Sequence, residues 1–119
     1  MIPADGWFTR AQYGAEASQA AFLIVQHAAD LPTRKALLPR LRPLAERGEI
    51  DGGDYARLYD RTIIWDGGRQ RYGTQFNCVD GRIQPQPLED PARVEDLRAA
   101  LRMPQTYADA LKAHAGRAC

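Results

Sequence analysis

Between residues 72 and 88 the chain alternates apolar and polar side chains around Asp80-Gly81, with prolines at positions 85 and 87 on the return. Asp-Gly between alternating runs favours a two-residue hairpin loop, because both central residues take positive φ and this pair tolerates it well. Such a loop pairs Val79 with Arg82, and hence Phe76 with Pro85 and Thr74 with Pro87. The last two are non-hydrogen-bonded pairs, so the N–H groups that proline lacks would point away from the partner strand. This register turns Phe76, Cys78 and Ile83 towards the rest of the domain and leaves Gln75, Asn77, Gln84 and Gln86 as an amide row on the other face. The prolines also predict an outer edge that does not template a further strand.

The remainder reads as helix. Residues 15–29 contain neither Pro nor Gly, and follow Gly14. Ala17, Ala21, Ile24, Val25 and Ala28 share one face, while Phe22, Leu23, Ala20 and Ala29 fill most of the rest. A helix apolar nearly all round is expected to be buried. Thr33 is the expected cap of a second helical segment ending at Arg47 before Gly48, with Pro39 and Pro43 predicting a kink or a split. Asp51 or Asp54 would cap a third helix over 55–65. After Asp90-Pro91 the pattern is helical again until Pro104, and a short last helix covers 105–113. The expected architecture is a mainly helical α+β single domain spanning residues 1–119, its core within about 7–113, with about five helical segments and one β-hairpin around Asp80-Gly81.

Composition narrows function mainly by exclusion. Sixteen Lys plus Arg against fifteen Asp plus Glu leave a net charge of +1, which argues against general nucleic-acid binding. Fourteen of those sixteen are Arg, the side chain whose planar fork holds carboxylates and phosphates bidentately. No run approaches the ~20 apolar residues of a membrane-spanning helix. The opening Met1-Ile2-Pro3-Ala4-Asp5-Gly6 has no signal-peptide pattern, so a cytoplasmic chain is expected. Cys78 and Cys119 have no Cys or His at metal-ligand spacing. A cytoplasmic setting predicts both as free thiols, with Cys119 frayed at the chain end. No phosphate-binding glycine loop, nucleophile elbow or zinc motif occurs, so neither metal nor cofactor is expected.

Candidate chemistry therefore rests on isolated polar residues. Gln26-His27 lies in the most apolar helix, where an imidazole or carboxamide is costly to bury unless hydrogen-bonded. It reads either as a core pair that pins packing or as a pocket with His27 exchanging protons near neutral pH. Asp60 reads as half of a solvated pair with Arg57, and Arg61 as an anion or carbonyl clamp. In Gln70-Arg71-Tyr72-Gly73-Thr74-Gln75, a bulge at Gly73 would let Tyr72 and Gln75 point into one cleft.

Taken in order, Gln26-His27-Ala28, Gly48-Glu49, Tyr55-Ala56, Asp60-Arg61, Gln70-x-Tyr72-Gly73-Thr74-Gln75, the proline-rich return strand, and Arg98 with Tyr107 resemble a bacterial domain family of unknown function. That family carries Q-H-A-D, D-R and Q-x-Y-G-T-Q elements. The acidic residue expected after Gln-His-Ala is here Ala29, with Asp30 one place later. The resemblance implies that Gln26, His27, Arg61, Gln70, Tyr72 and Gln75 form one pattern across several elements. The leading expectation is a metal-independent hydrolase or transferase acting on a small phosphorylated or amide-bearing substrate. His27, Arg61 and Tyr72 would be catalytic, and Gln26, Gln70 and Gln75 would bind the substrate. The alternatives are a non-catalytic protein-interaction module and a purely structural polar network.

Overall fold

A computed structural model describes residues 7 and 9–119, with the side chains of residues 10 and 15 left out; the opening hexapeptide lies outside the described residues. The element order is α1 (Arg10–Tyr13), α2 (Ala15–Ala28), α3 (Leu31–Glu46), α4 (Gly52–Trp65), β1 (Phe76–Val79), β2 (Arg82–Pro85), a 3-10 turn (Pro91–Arg93), α5 (Val94–Ala100) and α6 (Tyr107–His114). This is the α+β architecture expected, mainly helical with one antiparallel hairpin.

Asp30, rather than Thr33, caps α3. Its Oδ1 accepts from the Thr33 N–H at 2.8 Å, and the helix begins at Leu31 with Pro32 in its first turn, where an N–H is dispensable. Pro39 and Pro43 do not split α3. They stand four residues apart on its solvent face, so the carbonyls that lose partners face water, while Leu37, Leu38, Leu41 and Ala45 stay buried behind them. Asp51 caps α4, accepting from the Asp54 N–H at 2.9 Å. Gly52 follows because a Cβ there would stand 1.9 Å from the Leu101 carbonyl oxygen.

The core joins Phe22 and Val25 of α2, the leucines of α3, and Tyr55, Ala56 and Leu58 of α4, with Ile50, Tyr72 and Leu101 closing it. Trp7 packs on Phe22 at a ring distance of 5.1 Å. The expectation of an enveloped α2 is corrected: Ala21, Phe22 and Val25 face inward, whereas Leu23 and Ile24 are 57% and 65% exposed. Among the described residues α2 packs on α1 and α4, which cover one side of it.

The hairpin register is the one expected, Phe76 opposite Pro85 through Val79 opposite Arg82. The outer edge is not idle, however. The Ile83 N–H donates to the Arg117 carbonyl at 2.8 Å, Gly116 donates back to Ile83 at 2.8 Å, and Cys119 donates to Gly81 at 3.0 Å. The prolines silence positions 85 and 87 but leave the outward groups of Gly81 and Ile83 free, and the C-terminal segment takes them. That pairing sets Cys119 beside Cys78, and the two form a disulfide, contrary to the expected free thiols and frayed end. With the bond in place, unpaired cysteines no longer argue for the cytoplasm. No helix among the described residues is long and apolar enough to cross a membrane.

Candidate functional site

Asp60 is fully buried on α4 and accepts four hydrogen bonds: the N–H groups of Arg71, Tyr72 and Thr74 at 2.8, 3.1 and 3.0 Å, and the Thr74 hydroxyl at 2.8 Å. The loop can wrap the carboxylate because Gly73 sits at φ 70°, with no room for a Cβ, which would meet the Tyr107 ring at 2.4 Å. Gln70, also fully buried, ties the loop ends together. Its amide donates to the carbonyls of Gln75 and Gln86 at 3.0 and 2.8 Å and accepts from the Gln75 N–H at 2.9 Å. From the other side buried Arg98 donates to the Tyr72 carbonyl at 2.7 Å and twice to the Gln105 carbonyl. Burial holds the Asp60 carboxyl above the ordinary aspartate range despite its hydrogen bonds, and lowers the Arg98 pKa. Tyr72 is sealed in a cluster with Tyr55 and Tyr59, ring distances 6.0 and 5.3 Å, and burial raises all three phenols. The Arg71 guanidinium covers Tyr59 at 4.7 Å.

Beside this closed knot lie two cavities of about 430 and 380 Å³ that share Arg57 and Arg61 as lining residues. One is walled by the last turns of α2, where Gln26 and the exposed His27 stand. The other runs under the hairpin past Gln75, Phe76 and Ile83 to His114. Arg57 is ion-paired with Asp54 at 2.5 Å, not with Asp60. Arg61 donates to the Gln75 side-chain carbonyl at 3.3 Å, its only hydrogen-bond partner among the described residues. A guanidinium carries five N–H donors, so most of this one is free for a ligand. Arg34 stands near enough to sense the Arg61 charge. Burial first, and that charge second, lower its pKa, while two of its donors go to the Gln26 and Ala29 carbonyls. Among the described residues no three His, Cys, Asp or Glu side chains gather where they could hold a metal ion.

A family model matches residues 1–114, a span that takes in both the knot and the cavities. The chain belongs to DUF6624, a family of unknown function. Membership in DUF6624 therefore brings no activity with it. No curated protein and no solved structure matches the chain.

The six residues singled out in this DUF6624 chain divide into two groups. Gln26, His27 and Arg61 line one cavity, and Arg61 and Gln75 the other. Gln70 and Tyr72 are withdrawn from both, 0% and 1% exposed. The turn at Gly73 sends Tyr72 into the core instead of beside Gln75. His27 is exposed, not buried, because it sits on the uncovered side of α2. Sequence reasoning missed Asp60, Thr74 and Arg98 as the centre of the knot and His114 as a cavity wall. A Gly-Thr loop with consecutive unpaired N–H groups needs an acceptor, and that signal points to Asp60.

Proposed function

We propose that this chain binds a small phosphorylated or amide-bearing compound where the two cavities meet, and acts on it as a metal-independent hydrolase or transferase. Arg61 holds the anionic or carbonyl oxygen, Gln26 and Gln75 offer amide contacts, and His27 transfers the proton. Tyr72 and Gln70 support the site from behind without touching the ligand. The observation that carries this reading is Arg61 itself. It is a cation lining both cavities, held by a single 3.3 Å bond to a neutral amide instead of by a carboxylate.

A thermal-shift screen of small phosphorylated and amide metabolites tests it. A binding compound raises the melting temperature of the native chain, and His27→Ala and Arg61→Ala, folded as before, lose that shift. Retention of the full shift in Arg61→Ala overturns the reading. The interaction-module reading draws support from exposed Leu23 and Ile24 on α2. In that case partner binding is lost in Ile24→Ser, which lies outside the cavities, and survives in His27→Ala.

A further inference from the structure

We infer that the ligand of the arginine cleft is a small phosphodiester, with its phosphate on Arg61 beside the Arg57–Asp54 ion pair and one substituent in each cavity; this rests on the anion-binding reading above. Arg57 and Arg61 are the residues that the two cavities share, while Asp54 belongs to the α2-side cavity and Arg98 to the hairpin-side one. Each cavity has its own apolar wall, Phe22 and Leu23 in one, Phe76, Ile83 and Met103 in the other. Each also has one imidazole, His27 on the α2 side and His114 on the hairpin side, where it packs on Phe76 at 5.4 Å.

A cation shared by two cavities, each with one apolar wall, matches a ligand with its charge in the middle. A monoester or free phosphate would fill one compartment at most. A compound charged at both ends would set one anion beside Asp54 and the apolar wall of the α2-side cavity. Arg98 lines the hairpin-side cavity too, but its hydrogen bonds are spent on the Tyr72 and Gln105 carbonyls, so it contributes charge rather than contacts. The net charge of +1 fits a single phosphodiester better than a polymer of them.

Charge and shape make opposite forecasts, which makes the inference testable. A phosphomonoester carries close to two negative charges near neutral pH and a diester one, so a cleft selecting on charge alone prefers the monoester. Titrations of the full chain followed by NMR would use bis(4-nitrophenyl) phosphate, 4-nitrophenyl phosphate and inorganic phosphate. Filling the second apolar compartment is expected to make the diester bind about tenfold more tightly than the monoester. The diester should also shift the His27 and His114 ring resonances together. Arg61→Ala should weaken both esters, and Ile83→Ala the diester alone. If the monoester binds as well as the diester, or only one histidine responds, the straddling seat is wrong while the anion cleft stands. If no probe binds, both fall.

Discussion

Asp60 and Arg61 are adjacent in the chain and opposite in circumstance. Asp60 is 0% exposed and accepts four hydrogen bonds from a loop that closes over it. Arg61 is exposed, lines two cavities and holds one neutral partner. A single residue step around α4, about 100°, thus separates a polar group saturated by its own chain from one left open to others. Burial without partners is costly, so the inward position demands a full set of acceptors and donors. The outward position meets no such demand and is free to serve a ligand. Polar residues that look alike in sequence are sorted into structure and function by how many protein partners they find.

The sharpest way to break that contrast is Asp60→Ala. It strands the buried N–H of Tyr72 and the partly buried N–H groups of Arg71 and Thr74, at an expected cost of about 4 kcal/mol in urea unfolding. A loss below about 1 kcal/mol would mean the knot is not what holds the loop. The same carboxyl gives a pH signature. With its pKa raised by burial, the folded chain binds a proton there more tightly than the unfolded chain. Stability attributable to Asp60 therefore falls as pH rises from about 4 through the raised value, and Asp60→Asn should lack that slope. Glu89, held low chiefly by its hydrogen bond from Arg71, works with the opposite sign: its contribution is lost as pH falls through its lowered pKa.

Next in size is the Cys78–Cys119 bond, whose removal by Cys119→Ser is expected to cost about 3 kcal/mol through the freed chain entropy. Because the tail leads directly from α6, the change should move the resonances of Phe76 and His114 in the hairpin-side cavity. Amide exchange protection at Tyr72 and Thr74 should persist, which would separate cleft from knot. Gln70→Ala, removing three partly buried hydrogen bonds, should cost about 2 kcal/mol and expose the Gln75 amide to exchange. His27→Ala and Arg61→Ala stand at the bottom of the scale. Each should stay within about 0.5 kcal/mol of the native chain by calorimetry while abolishing ligand shifts. A large destabilisation in either would move that residue from the cleft to the knot.

Much of the fold was legible because its signals are local. The hairpin follows from Asp80-Gly81, whose φ values of 52° and 79° are those such a turn requires, and the α4 cap follows from Asp51. The split expected at the α3 prolines does not occur, because proline's effect depends on which face it occupies. Position 39 alone does not disclose that its missing bond would face water. The candidate site was half legible. Gln26, His27, Arg61 and Gln75 stood out as polar residues in apolar or turn settings and do line the cavities. Tyr72 and Gln70 stood out for the same reason and do not.

Local chemistry, read from the sequence, determined the secondary structure and the register of the hairpin, since turn residues and side-chain alternation act over a few positions. Which polar groups are sealed, which are open, and that Cys78 meets Cys119 were decided only by tertiary structure. Burial and hydrogen-bond saturation are properties of what packs against a residue, and for Asp60 those neighbours arrive more than ten positions later in the chain.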